Sequence, residues 1–234
     1  MLILVILFFF TCNSCNRQLM ADTKTSSLQA KKQLQYLALG DSYTIGESVN
    51  ASENFPNLFV SMMRKEGLGV QDARIIAKTG WTTDELSSNI KAAGSQEPLQ
   101  ENYDLVSLLI GVNNQYRGRT AEEYNSEFEA LLQKAIAFAG NRVERVVVLS
   151  IPDWGVTPFA TGRDREKIAR EIDAFNTVNK RLALQYKVHY IDITPWTREA
   201  PTDPSLLAAD GLHPSGKEYK RWAEKIAAFF RTKV

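Results

Sequence analysis

Short apolar segments alternate with amphipathic helical patterns along most of this chain, and this alternation constrains the fold more than any other feature. Five segments have the character of strands: residues 34–39, 73–77, 104–110, 145–150 and 188–193. The third is almost continuously apolar, which is typical of a strand covered on both faces in a parallel sheet. The pattern predicts an α/β fold, a single-domain three-layer sandwich in which helices cover both faces of a five-stranded parallel sheet.

The helical patterns between these segments form the outer layers of the predicted sandwich. Residues 120–139 and 163–186 have long helical patterns, and a last helix is expected to begin near Ser215. Thr82 with Glu85, and Ser215 with Glu218, have the spacing of a capping box. An earlier helix presents one apolar face that consists of Phe55, Leu58, Phe59, Met62 and Met63.

The composition limits the classes of protein to which the chain can belong. Apolar residues make up 44% of the 234 residues, which is enough for one full hydrophobic core. The formal net charge is only +1, whereas nucleic-acid-binding domains usually carry a pronounced basic surface. We therefore expect one globular domain over residues 33–234 and no nucleic-acid partner.

The first 32 residues differ in character from the rest of the chain. Residues 2–10 form an unbroken apolar run, which is too short to span a bilayer and is typical of the centre of a signal peptide. Cys15, preceded by the small Ser14, resembles the lipidated cysteine of a bacterial lipoprotein, and Cys12 is the alternative. We predict a signal segment over residues 1–15, lipidation at Cys15 and a polar tether over residues 16–32.

This interpretation of the N-terminal segment predicts a protein of the cell envelope that a lipid anchor holds at a membrane. The alternatives are an ordinary secretory signal, which would give a secreted or periplasmic protein, and an uncleaved anchor. Both cysteines of the chain precede residue 16. A disulfide framework within the following domain is therefore excluded.

Polar residues and glycines of the types that take part in catalysis follow four of the predicted strands. Because the carboxyl ends of parallel strands meet at one edge of a sheet, we expect these residues to lie close together. Serine, histidine and aspartate are the parts of a nucleophilic triad, in which the histidine takes the serine proton and the aspartate orients the histidine. Backbone N–H groups and a side-chain amide can stabilise the oxyanion that forms. The residues are Ser42, Gly80, Asn113, Asp210 and His213.

At these positions the chain resembles the SGNH hydrolase family, whose members are also called GDSL esterases and lipases. The resemblance rests on Gly40-Asp41-Ser42, on Gly80, on the Gly-Val-Asn-Asn motif of residues 111–114 and on the Asp-Gly-Leu-His motif of residues 210–213. It implies a flavodoxin-like fold without a cofactor or a metal. It also implies that Ser42 is the nucleophile, that His213 is the base oriented by Asp210, and that Ser42, Gly80 and Asn113 form the oxyanion hole.

One sequence feature distinguishes this chain from the usual motif of the family, and another distinguishes it from the α/β-hydrolases. The third motif of the family often ends in aspartate, where this chain has Asn114, so we expect different hydrogen bonding around that position. The Gly-x-Ser-x-Gly motif of the α/β-hydrolases does not occur in the chain, which disfavours that fold.

The resemblance implies a serine esterase that hydrolyses carboxylic esters through an acyl-enzyme. Two substrate classes compete: acetyl or other short acyl esters, for example on saccharides, and longer acyl groups on lysophospholipids or thioesters. The sequence has no long apolar insertion to form a large lid, which favours small or soluble esters. The alternative from another class is a catalytically silent surface protein that uses the scaffold for binding.

A few other residues allow a chemical and a structural interpretation. Asp41 is expected to cap nearby N–H groups, and His189 to be a structural residue of the last strand. Residues 116–119 either bind an anionic group or form a solvated loop, which is the interpretation we favour. An apolar loop either lines an acyl pocket or covers the sheet edge, and it contains Trp154, Val156 and Phe159.

Overall fold

The computed structural model of the protein describes residues 33–233. The predictions of a signal segment over residues 1–15, of lipidation at Cys15 or Cys12, and of a tether over residues 16–32 lie outside the described residues. Within residues 33–233, no helix is both long enough and apolar enough to cross a membrane.

A five-stranded parallel sheet forms the centre of the described region. Its strands are β1 (Tyr36–Gly40), β2 (Arg74–Ala77), β3 (Leu105–Leu109), β4 (Val146–Leu149) and β5 (His189–Ile191). Their order across the sheet is β2-β1-β3-β4-β5, and every neighbouring pair is parallel. The predicted fold class is confirmed, and the ends of the five predicted strands differ from the observed ends by no more than a residue or two.

The chain reverses its direction across the sheet between β1 and β3. It runs outward from β1 to β2 and then returns to β3 on the other side of β1. Such a reversal leaves a crevice outside the carboxyl ends of the two central strands, where open α/β sheets bind their ligands. The segments that follow β1 and β3 therefore enter this crevice.

Helices cover the two faces of the sheet. α2 (Phe55–Lys65) packs on α8 (Gly216–Arg231), where the ring centroids of Phe59 and Phe230 are 5.3 Å apart. α5 (Ala121–Phe138) packs on α6 (Arg165–Gln185), where the ring centroids of Tyr124 and Phe175 are 4.7 Å apart. The helices of the described region are α1 (Ser42–Ile45), α2 (Phe55–Lys65), α3 (Thr83–Gln96), α4 (Val112–Tyr116), α5 (Ala121–Phe138), α6 (Arg165–Gln185), α7 (Thr194–Thr197) and α8 (Gly216–Arg231).

The end of β1 is packed so closely that only glycine fits there. A Cβ atom at Gly40 would collide with the hydroxyl of Thr44 and with the backbone carbonyl of Leu109. Because Leu109 belongs to the neighbouring strand β3 and Thr44 to α1, the glycine allows α1 to begin directly against the sheet. The residue at the start of α1 is consequently held close to the end of β3.

One of the two predicted capping boxes is present and the other is not. The backbone N–H of Thr82 donates to the Glu85 carboxylate at 2.9 Å, as predicted for the start of α3. The prediction for Ser215 and Glu218 is wrong, because the Ser215 hydroxyl donates to the Ser205 carbonyl instead. Glu218 is 1% exposed and accepts a hydrogen bond from the Trp222 indole at 2.7 Å. Because the Glu218 carboxylate is buried against this indole, it does not cap the start of α8.

Candidate active site

The serine of the Gly-Asp-Ser motif is the first residue of α1. The side chain of Asp41 accepts a hydrogen bond from the Tyr43 N–H at 3.1 Å and so caps the helix, as predicted. Ser42 is buried, with 4% of its surface exposed. Since a first helical residue has no carbonyl of its own helix to bond, the backbone N–H of Ser42 is left for another acceptor.

Asp210 and His213 form a hydrogen-bonded pair in the loop before α8. One carboxylate oxygen, Oδ2, lies 2.6 Å from Nδ1 of His213. The other, Oδ1, accepts hydrogen bonds from the backbone N–H groups of Leu212 at 2.9 Å and of His213 at 3.0 Å. The two residues that the sequence predicted as base and orienting acid are therefore in direct contact.

The surroundings of the Asp210 carboxylate determine the state of this pair. Partial burial alone would raise the pKa of Asp210, but hydrogen bonds from His213, from Ser48 and from the backbone lower it to about 2. The carboxylate is thus ionised at neutral pH and can only accept hydrogen bonds. Nδ1 of His213 must then carry the proton toward Asp210, which leaves Nε2 available as a base.

The predicted oxyanion donors Gly80 and Asn113 lie next to each other. The side-chain amide of Asn113 donates to the Trp81 carbonyl at 3.0 Å, which holds it against the residue that follows Gly80. Gly80 has a φ of 86°, in the left-handed region that favours glycine. Among residues 33–233, no acceptor is bonded to its backbone N–H.

One cleft at the carboxyl edge of the sheet brings these groups together, except for Ser42, which does not line it. The cleft encloses about 180 Å³. Gly80, Asn113 and His213 line it, together with Tyr43, the residue after Ser42. The Tyr43 ring lies against the imidazole of His213, with 5.3 Å between ring centroids. Within the described part of the chain, Ser42 Oγ has no hydrogen bond to His213, and such bonds commonly tighten only when substrate binds.

Asn114, which stands where the family often has aspartate, is fully buried and connects three helices. Its amide oxygen accepts from the Thr83 N–H at 3.1 Å, at the start of α3. Its amide nitrogen donates to the Thr83 hydroxyl at 2.6 Å and to the Glu127 carboxylate on α5 at 3.2 Å. A neutral amide can both accept and donate, so Asn114 satisfies these groups without placing a second carboxylate beside Glu127.

The two arginines of residues 116–119 contact Gly80, α3 and α5. Arg117 donates to the Gly80 carbonyl at 2.6 Å and lies 3.3 Å from the Glu85 carboxylate. Arg119 forms ion pairs with Asp84 at 2.7 Å and with Glu127 at 3.4 Å. These side chains are partly exposed, but the contact of Arg117 fixes the backbone of Gly80, a role that the sequence does not indicate.

An aromatic wall, which consists of Tyr116, Trp154 and Phe159, forms one side of the cleft. The Trp154 indole donates to Gln115 at 2.7 Å, whereas the rings of Tyr116 and Phe159 are each 45% exposed. Trp154 and Phe159 line the cleft, which agrees with the first of the two interpretations of this apolar loop. The guanidinium of Arg163 lies 5.5 Å from the centroid of the Tyr116 ring, a contact not expected from the sequence.

His189 lies far along the sheet, on the edge strand β5, and its ring stacks on Phe229 with 4.1 Å between centroids. Burial and the nearby Lys233 lower its pKa.

Within residues 33–233, no group of three or more histidine, cysteine, aspartate or glutamate side chains is arranged to hold a metal ion.

Comparison with known proteins identifies the family of this chain. The sequence model of the GDSL-like Lipase/Acylhydrolase family matches residues 38–221. An acetylxylan esterase of Geobacillus stearothermophilus is 24% identical over 136 residues, which is 54% of this chain and 59% of that protein. The match thus spans less than two thirds of the length of the esterase.

Solved structures of similar fold include a lipase/acylhydrolase from Enterococcus faecalis, with a TM-score of 0.65 and 20% identity over 86% of this chain and 97% of that one. The acetylxylan esterase Axe2 from Geobacillus stearothermophilus has a TM-score of 0.64 and 19% identity, over 86% of this chain and 96% of that one. At such identities these structures show a shared fold.

The buried carboxyl of Asp41 predicts a pH-dependent stability. Burial raises the pKa of Asp41 to about 7, above the value of about 3.9 in an unfolded chain. The folded state therefore holds a proton that the unfolded state has lost, and Asp41 reduces stability as the pH rises from about 4 to about 7. Asp41→Asn keeps the capping oxygen without the charge.

We expect the melting temperature of Asp41→Asn to exceed that of the wild type by roughly 5 °C more at pH 8 than at pH 5. Differential scanning calorimetry of both proteins at the two pH values measures this change. A difference in melting temperature that is the same at both values would contradict the raised pKa.

Proposed function

Because the chain belongs to the GDSL-like lipase/acylhydrolase family, we propose that it is a serine esterase that hydrolyses carboxylic esters through an acyl-enzyme. The observation that carries the proposal is the Asp210–His213 pair, whose imidazole faces the same cleft as Gly80 and Asn113. A base with a free Nε2 and two donors around one cleft are the groups that acyl transfer requires.

In the proposed reaction, Nε2 of His213 takes the proton of Ser42 as its Oγ attacks the ester carbonyl. The carbonyl oxygen becomes an oxyanion, which accepts hydrogen bonds from the N–H groups of Ser42 and Gly80 and from the amide of Asn113. The C–O bond to the alcohol breaks, and the alcohol leaves with the proton from His213. Water then attacks the acyl-enzyme by the same sequence, which releases the acid and restores Ser42.

Within this activity we propose short acyl groups, acetyl above all, as the preferred acyl portion and a saccharide as the alcohol portion. The cleft of about 180 Å³ suits a small group, and the exposed rings of Tyr116 and Phe159 offer flat apolar surfaces to a sugar ring. The similarity to an acetylxylan esterase agrees with this choice. Longer acyl groups of lysophospholipids or thioesters are the second candidate, because the aromatic wall is also apolar.

We also propose that the enzyme is held at a membrane of the cell envelope by a lipid on Cys15. The support is the sequence alone: an apolar run, a small residue before a cysteine, and a polar stretch over residues 16–32. Each buried methylene of an acyl chain contributes about 0.8 kcal/mol to membrane binding. The stretch of residues 16–32 would let the catalytic domain stand away from the membrane surface.

Replacement of the nucleophile provides the first test of the catalytic proposal. Ser42→Ala should lower kcat by a factor on the order of 10⁶ and leave the melting temperature nearly unchanged, because the hydroxyl makes no hydrogen bond in the described region. A fluorophosphonate probe should label the wild type and fail to label this variant. Labelling and full turnover of Ser42→Ala would place the nucleophile at another residue, whereas no turnover in the wild type would favour the binding-protein alternative.

The adjacent asparagines provide a matched pair of variants for the oxyanion hole. Asn113→Ala should lower kcat by roughly 10²–10³ with little change in KM, because its amide acts mainly when negative charge develops. Asn114→Ala should instead lower the melting temperature, because it leaves the Thr83 N–H and its neighbours without partners. Steady-state kinetics and thermal melts of both variants separate the roles, and equal losses of kcat would count against the assignment.

A series of p-nitrophenyl esters from acetate to palmitate tests the proposed acyl preference. We expect kcat/KM to be highest for acetate to butyrate and to fall at least roughly ten-fold by octanoate, since we propose that the cleft holds only a short acyl group. An optimum at octanoate or beyond would select the lipid or thioester alternative and leave the esterase mechanism intact.

The lipid anchor is tested by expression of the full chain in a bacterial host. Wild type and Cys12→Ser should partition into a detergent phase, whereas Cys15→Ser should remain in the aqueous phase. Mass spectrometry should find a lipid on an N-terminal Cys15. Retention of the lipid in Cys15→Ser and its loss in Cys12→Ser would assign the modification to Cys12 instead.

A further inference from the structure

The turn that follows α1 has an unusual backbone. Ser48 has a φ of 65°, in the left-handed region, although it is not glycine. In the described region only Asn141 and Lys187 share this property. A residue with a Cβ atom is disfavoured in that conformation, and glycine would adopt it without strain. The serine at this position therefore calls for an explanation in terms of its side chain.

The hydroxyl of Ser48 connects the turn to the loop of the acid and the base. Ser48 Oγ donates a hydrogen bond of 2.7 Å to Oδ2 of Asp210, a residue 162 positions later in the chain. The same oxygen lies 2.6 Å from Nδ1 of His213. Two backbone N–H groups also donate to Oδ1, so four donors surround the carboxylate. Ser48 is the donor that comes from the segment beginning with Ser42.

The residue before Ser48 contacts the third part of the site. The Glu47 carboxylate accepts a hydrogen bond from the Thr79 hydroxyl, next to the oxyanion donor Gly80. Glu47 and Ser48 thus bond the segment that begins with Ser42 to both of the other loops of the cleft. Backbone hydrogen bonds from Gly46 and Glu47 to the Ser42 carbonyl, at 3.1 Å and 3.0 Å, fix the turn to the nucleophile itself.

We propose that Ser48 is a positioning residue of the active site, whose hydroxyl fixes the Asp210 carboxylate and thereby sets the place of His213 relative to Ser42. This inference rests on the proposed esterase function. Removal of the hydroxyl leaves Oδ2 of Asp210 with one fewer donor and lets the carboxylate rotate, so that the imidazole is less well oriented for proton transfer. Since Ser48 is not one of the residues that line the cleft, substrate binding should be unaffected.

Ser48→Gly is the informative variant, because it removes the hydroxyl and relieves the strained backbone at the same time. We expect kcat for p-nitrophenyl acetate to fall roughly three- to ten-fold with KM unchanged, in the range of a partly exposed hydrogen bond to a charged group. The melting temperature should stay the same or rise. In proton NMR spectra, the resonance of the His213 Nδ1–H should shift or broaden. Lys187→Gly is the matched control: it relieves the same kind of backbone strain (φ 59°) far from the site and should leave kcat and the resonance unchanged.

The outcomes separate this inference from the function on which it rests. If the wild type hydrolyses esters and Ser48→Gly keeps full kcat with an unchanged resonance, the positioning role is wrong and the esterase proposal stands. If kcat falls only together with the melting temperature, Ser48 is a purely structural residue and the inference is overturned. If the wild type hydrolyses no ester, the functional proposal fails, and the NMR comparison alone decides whether Ser48 orders the Asp210–His213 pair.

Discussion

The parallel pairing of β1 with β3 is the contact on which the rest of the structure depends. β1 is covered on both faces and pairs with β2 on one side and β3 on the other, so its carboxyl end lies at the reversal of strand order. Gly40 makes this end thin enough for α1 to start against the Leu109 carbonyl. As a result, Ser42 and the segment with Asn113 emerge side by side, although about 70 residues separate them in the chain.

Polar contacts join the three loops of the site to one another. Arg117 and Asn113 fix the loop of Gly80, and Ser48 bonds to Asp210. Each contact joins segments that lie far apart in sequence. The arrangement has a cost at Asp41, whose buried carboxyl has a pKa raised to about 7 while it caps the helix that begins with Ser42. Strain and unfavourable burial concentrated at such a site are expected where chemistry fixes the geometry.

Much of the fold could be predicted from the sequence, because strand periodicity and apolar runs report burial directly. The predicted strands, the cap of α3 and the proximity of Gly80, Asn113 and His213 all follow from local patterns and the edge rule for parallel sheets. The roles of Ser48 and Arg117 could not be predicted, since each depends on a partner brought near by folding. The capping box predicted for Glu218 is absent for the same reason. Its spacing matches a capping box, but the Trp222 indole binds its carboxylate once α8 is packed.

The aromatic wall links the two halves of the cleft and bears on what it can bind. Tyr116 ends α4, the helix of Asn113, while the backbone of Phe159 is bonded to the Gly211 carbonyl in the loop of Asp210. Both rings are half open to water, so an acyl chain lying along them would stay partly hydrated. Such a chain would gain less than the roughly 0.8 kcal/mol that full burial of each methylene provides. A ring stacked on the wall would bury one face completely, which supports our proposal of a small acyl group inside the cleft and a saccharide on the wall.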